Sequence, residues 1–175
     1  RFARRFNSFY GVDLFPEPEN FNFGDHAVKV PGLDGSGKMG KSEGNCIYLV
    51  DDEKVLRKKV MRAKTDEGPK EPNSPVSEPV ENLFTLLELT SGPEIVQQYR
   101  DAYADCSIRY GDLKKQLAED ILKVTTPIRE RYNEIRADEA YIAKVVKQGA
   151  ERARERASKT LSEVREAMGI IRFKG

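Results

Sequence analysis

A chain of 175 residues, 34% charged and 38% hydrophobic, is long enough for one full domain or for a small piece joined to a moderate one, with a core that needs no staple. Its 30 basic and 29 acidic residues nearly cancel, so net charge points to no particular partner, although Lys54 to Lys64 carries six cations and no acid. Two cysteines without C-x-x-C spacing, one histidine and a longest apolar run of only CIYLV argue against a disulfide framework, a Cys/His zinc site and a membrane span, and fit a reduced cytoplasmic compartment.

Phe2, Phe6 and Phe9 fall three or four apart, which predicts the last turns of an amphipathic helix ended by Gly11. That pattern is already under way at Arg1, without a methionine, so the chain reads as a C-terminal fragment of something longer. Irregular chain follows from Asp13 to Gly24; HAVKV (26–30) and CIYLV (46–50) are predicted strands flanking a loop, 32–45, with five glycines. Beyond Val50 the apolar period changes from two to about 3.6. Asp51 or Asp52 is expected to cap a helix running to about Lys64, with Leu56, Val60 and Ala63 on its buried side.

GPKEPNSPVSEP (68–79) reads as a linker or exposed loop, followed by a helix through NLFTLLELT and another in SGPEIVQQYRDAY, with Pro93 near its start. Two long helices close the chain. One stripe runs Leu113, Leu117, Ile121, Val124, Ile128, Tyr132 and Ile135 across Pro127, where a kink is expected; the other runs Ile142, Val146, Gly149, Ala153, Ala157, Leu161, Val164 and Met168. Both stripes are expected to be core, which makes the second half a helical bundle.

Residues 35–42, GSGKMGKS, fit the phosphate-loop pattern G-x-x-x-x-G-K-[ST] letter for letter. That motif works only where the loop opens directly into a helix whose N-terminal amides face the phosphates. After Ser42 comes Glu43-Gly44-Asn45 and then β-like residues, a poor helix start, so the match is read as coincidental. The lysines survive that rejection. Lys38 and Lys41, three apart in a glycine-rich loop, can place two ammonium groups on one polyphosphate and neutralise charge as pyrophosphate leaves.

KMGKSEGN (38–45) resembles the KMSKS signature of class I aminoacyl-tRNA synthetases. RFARRFNSFYG, IYLVDDEKVLRKKVMRAKTD and AERARERASKTLSEVREAMG are similar, in the same order, to segments of the C-terminal half of the bacterial tryptophanyl branch. One departure is Gly40, where the signature usually has serine; tyrosyl relatives also carry loops like GKSEGN, so the loop alone leaves the amino acid open. The helical ending argues for tryptophan, because tyrosyl enzymes usually finish in a small separate RNA-binding module.

The resemblance implies a mainly α chain: residues 1–66 as the remnant of a Rossmann-like α/β nucleotide-binding domain carrying the loop, and 67–175 as a helical anticodon-binding domain. It implies ATP and Mg²⁺, tryptophan and tRNA(Trp) as substrates and partners of the full enzyme, which is typically a homodimer, whereas the fragment could stand as a monomer. Lys38 and Lys41 are the expected catalytic residues, with Met39, Gly40 and Ser42 completing the ATP contacts. Arg57, Lys58, Arg62, Arg152, Arg156 and Lys159 are candidates for tRNA, since cations serve RNA phosphates. His26 reads as a loop histidine without chemistry, no metal site is expected, and the paired-histidine motif and amino-acid pocket are expected elsewhere, so the fragment alone should be inactive. The alternatives are a tyrosyl-type fragment and a non-catalytic helical RNA-binding module.

Overall fold

The computed structural model describes residues 1–19, 21 and 29–170. Among the described residues six helices occur in the order α1 (Phe2–Tyr10), α2 (Glu53–Met61), α3 (Glu78–Thr90), α4 (Pro93–Ala104), α5 (Tyr110–Ala137) and α6 (Glu139–Ala167), and no strand is present. The mainly α expectation therefore stands, but the strand expected at 46–50 does not form. There the Tyr48 amide donates to the Asp51 carboxylate (2.9 Å) and the Asp51 amide to the Tyr48 carbonyl (3.0 Å), closing a turn. Of the other expected strand, residues 26–28 lie outside the described residues, as does His26; Lys29 and Val30 are irregular.

The chain divides into two compact units, Val28–Glu134, and Arg1–Ala27 with Ile135–Gly175. The first holds the core, formed by Leu56 and Val60 of α2, Leu83, Phe84 and Leu87 of α3, Val96 and Tyr103 of α4, and Leu113, Leu117 and Ile121 of α5. Local chemistry starts α2, α3 and α4 where they begin. The Asp52 carboxylate accepts from the Val55 amide (2.8 Å) at the N-terminus of α2, and Pro79 and Pro93 sit in the first turns of α3 and α4, where a missing N–H costs nothing. Ser77, at the α3 cap position, donates its hydroxyl to Asp66 instead, a carboxylate that also accepts from the Tyr110 hydroxyl and the Gly68 amide. That carboxylate joins the end of the basic segment to α3 and α5. Asp120, a buried carboxylate, accepts from Ser91 (2.5 Å), Gln116 (2.8 Å) and Lys123 (2.7 Å), fastening the turn after α3 to α5.

In the second unit, α1 ends at Gly11 in the left-handed conformation (φ 65°), and Asn7 accepts from the Leu14 and Phe15 amides (3.3 and 3.1 Å), folding Phe15 edge-on against Phe6 with ring centroids 5.1 Å apart. Helix α6 is capped by Asp138, which accepts from the Tyr141 amide at 2.8 Å. None of its residues is buried: Val146 is 63% and Leu161 45% exposed. The α5 stripe is likewise buried only through Leu113, Leu117 and Ile121, while Val124, Ile128 and Tyr132 are 42–47% exposed. The expectation that both stripes are core is corrected accordingly. A 3.6-residue period specifies which face is apolar, but burial needs an opposing surface, and the described residues do not cover these faces.

Candidate phosphate-binding loop

The loop that carries Lys38 and Lys41 is folded around one side chain. Asn45, only 4% exposed, donates its amide N–H groups to Asp34 Oδ1 (3.0 Å), Ser36 Oγ (2.9 Å) and the Lys38 carbonyl (3.2 Å), and its Oδ1 accepts from the Gly40 amide (2.9 Å). Its own carbonyl accepts from the Leu33 amide (3.1 Å), and the Leu33 carbonyl accepts from the Lys64 amide (2.8 Å), which fastens the base of the loop to the chain leaving α2. Met39 is held by three further contacts: its amide donates to the Val30 carbonyl (2.8 Å), its sulfur accepts from the Ile47 amide (3.4 Å), and its side chain packs against the core.

Gly32 makes room for this polar knot. A Cβ at 32 would lie 2.3 Å from Asn45 Nδ2, 2.5 Å from Asp34 Oδ1 and 2.7 Å from Ser36 Oγ. Gly32→Ala is therefore expected to destabilise the chain by about 1–3 kcal/mol through overpacking and to break the knot. Parent-like denaturation midpoints together with unchanged exchange of the Gly40 amide would contradict it.

The Asp34 carboxyl is held down to about 2 by the Ser36 hydroxyl, the Asn45 amide and the Ser36 backbone N–H, against an ordinary 3.8. A depressed folded value means that the contribution of Asp34 is complete above the ordinary value and is lost as pH falls from 3.8 toward 2. The Ser36 amide resonance, whose N–H donates to Asp34 Oδ1 (3.0 Å), should titrate within that window; a midpoint at the ordinary value would show a carboxylate without these partners.

Beyond Gly40 the chain turns through 41–44, with the Glu43 amide donating to the Gly40 carbonyl at 3.3 Å, and the next helix begins only at Glu53. This is not the strand–loop–helix arrangement that the letters of 35–42 suggest. Lys38 and Lys41 are exposed, on either side of the anchored Met39–Gly40 pair, and neither ammonium forms an ion pair among the described residues. Of the four amides from 39 to 42, Met39 and Gly40 are occupied, whereas Lys41 and Ser42 donate to no described residue. The Ser42 hydroxyl donates to the Glu43 carboxylate at 3.2 Å. The arrangement thus offers an anion two ammonium groups and two free amides, at a surface turn whose base is fixed, while the Ser42 hydroxyl is engaged by Glu43. Lys29 also brings its Nζ to this loop, 3.7 Å from where a Cβ on Gly37 would stand.

The basic segment is not uniformly available. Arg57 is held by Glu53 (2.8 Å) and bidentately by Glu119 (2.7 and 3.0 Å), and Lys59 by Asp51 (2.5 Å) with its ammonium 4.5 Å from the Tyr48 ring centroid. Lys58 and Arg62 are exposed and make no ion pair among the described residues. Arg152, Arg156 and Lys159 are exposed on α6 without such partners. Among the described residues no group of three or more His, Cys, Asp or Glu side chains converges on a metal position, and no helix is long and apolar enough to cross a membrane.

Comparison with known proteins gives one consistent result. The model of a family described as tRNA synthetases class I (W and Y) matches residues 1–126. The chain is 64% identical over 170 residues to the tryptophan–tRNA ligase of Porphyromonas gingivalis, covering 97% of this chain and 52% of that protein. It is 39% identical over 179 residues to the tryptophan–tRNA ligase of Streptococcus pneumoniae TIGR4, covering 98% and 51% respectively. Among solved structures it is similar to the tryptophanyl-tRNA synthetase of Campylobacter jejuni complexed with ADP and tryptophan, at 27% identity and a TM-score of 0.72 over 95% of this chain and 51% of that one. The chain spans about half the length of the relatives it matches.

Proposed function

From its membership of the class I tryptophanyl and tyrosyl tRNA synthetase family, to which the chain belongs, we propose that it is the C-terminal part of a tryptophanyl-tRNA synthetase. The complete enzyme joins tryptophan to ATP, forming tryptophanyl-adenylate and releasing pyrophosphate, and then transfers the amino acid to the terminal adenosine of tRNA(Trp). The observation that carries tryptophan over tyrosine is the 64% identity with a tryptophan–tRNA ligase along 97% of the chain.

In this reading residues 1–66 belong to the catalytic domain and 67–175 to the tRNA-binding domain. Lys38 and Lys41 contact the triphosphate, and Ser42 and the free amides of Lys41 and Ser42 complete the cradle. Charge accumulates on the departing pyrophosphate as the tryptophan carboxylate takes the α-phosphorus, and the two ammonium groups lower the barrier in proportion to how much better they meet that charge than the ground-state triphosphate. Mg²⁺ arrives on the phosphates as part of the nucleotide substrate and adds positive charge there. Lys58, Arg62, Arg152, Arg156 and Lys159 supply cations to RNA phosphates; Arg57, already neutralised by two carboxylates, is the weakest of the proposed contacts.

The test is ATP–pyrophosphate exchange by a complete chain with tryptophan or tyrosine as sole amino acid. Tryptophan-dependent exchange is expected from the complete chain and none from residues 1–175 alone; tyrosine dependence would overturn the assignment. A purely RNA-binding module would show neither.

A further inference from the structure

We propose that Asn45 is the positioning residue of the loop: its side-chain amide holds residues 38 and 40 as a neighbouring strand's peptide group would, and so fixes where Lys38 and Lys41 stand. The proposal rests on the reading of those lysines as phosphate contacts and adds a residue that touches no substrate.

The geometry is specific to an amide. Asn45 Nδ2 donates to the Lys38 carbonyl (3.2 Å) while Oδ1 accepts from the Gly40 amide (2.9 Å), so one planar group spans the two peptide groups that flank Met39. A hydroxyl could not span both, and a carboxylate could accept but not donate. The amide is itself immobilised, because its second N–H direction is shared by Asp34 Oδ1 and Ser36 Oγ, and Ser36 in turn is tied through its carbonyl to Asn82 of α3 (3.2 Å). Rigidity therefore passes from α3 through Ser36 and Asn45 to the Gly40 amide. Beyond that point no described partner holds the Lys41 and Ser42 amides, so the Gly40 amide is the last one fixed before the two that remain open to an anion. Holding a cationic pair in place before an anion arrives removes an ordering cost from binding.

The experiment uses the isotopically labelled 175-residue chain and sodium tripolyphosphate, read by amide hydrogen exchange and by titration of the Lys41 and Ser42 amide resonances at low salt. Asn45→Ala is expected to speed Gly40 exchange by about tenfold or more and to weaken tripolyphosphate binding by roughly tenfold, with the thermal transition of the helices as the reference for global stability. Asn45→Asp keeps the shape but removes the donor and sets a carboxylate against that of Asp34. The acceptor for the Gly40 amide remains, so it is repulsion from Asp34 that should push the new carboxylate out of the knot and free Gly40 at neutral pH, with recovery as the two carboxylates come to share a proton on acidification, a rescue that plain loss of packing would not give. Lys38→Ala with Lys41→Ala should weaken tripolyphosphate binding while leaving Gly40 exchange unchanged.

Gly40 exchange that is unaltered in both Asn45 variants, or that changes only in step with global unfolding, would overturn the proposal. So would parent-like tripolyphosphate affinity with Gly40 released. Absence of tripolyphosphate binding by the parent chain would instead remove the phosphate reading itself, and the positioning role with it.

Discussion

In a complete chain, Lys38→Ala and Lys41→Ala are each expected to slow tryptophan activation by about 100- to 1,000-fold, the usual loss when one preorganised donor to a developing anion is removed. Both ammonium groups are exposed and unpaired among the described residues, so neither substitution leaves a carboxylate orphaned in the fold, and the melting temperature should not move. The effect should fall on kcat more than on KM for ATP, because an interaction that strengthens as pyrophosphate departs is felt mainly in the transition state. The double variant should lose less than the product of the two single losses, since both groups serve one leaving group. Pyrophosphate exchange within twofold of the parent for both single variants would remove the lysines from the chemistry.

Phe84→Ala is expected to cost about 3–5 kcal/mol of stability and to lower the melting temperature by roughly 10 °C. The ring is fully buried on α3, meets Tyr103 edge-on with centroids 6.3 Å apart, and carries the Arg100 guanidinium 4.7 Å from its centre. Arg100 is held there by Glu81 (2.7 Å) and Glu88 (2.9 Å), so deleting the ring both opens a cavity and takes the face from a fixed cation. Phe84→Leu, which refills most of the volume, should cost clearly less. A change under 2 °C for the alanine variant would mean that the ring is not part of the core.

Much of the fold was legible because its signals are local. Asp52 before a stripe of Leu56, Val60 and Ala63, Pro79 and Pro93 at helix starts, and the regular spacing of Leu113, Leu117 and Ile121 each report on neighbours a few residues away. CIYLV misled because β-forming residues make a strand only where another strand supplies a ladder; here Asp51 satisfies the Tyr48 amide instead. The stripes of α5 beyond Ile121 and of α6 are apolar as their spacing predicts but not buried, since periodicity says nothing about what lies opposite. The cations show a similar division. Glu53 and Arg57, four apart on one helix, could have been paired from the sequence, but the partner at Glu119 comes only with the fold. In the loop, Lys38 and Lys41 were visible as residue types, whereas Asn45 gave no sign of its part. Its role depends on Asp34, Ser36, Lys38 and Gly40 meeting at one point.

The absent Cβ of Gly32 has a consequence for how this sequence can change over generations. The space it leaves is filled by Asn45, Asp34 and Ser36, so any larger residue at 32 collides with all three at once. Positions 32, 34, 36 and 45 should therefore be inherited as a single character: a side chain at 32 displaces the amide at 45, and loss of that amide alone does not release glycine at 32, because Asp34 and Ser36 still stand in the way. The lysines that such a loop carries can vary only inside the allowance these four positions set.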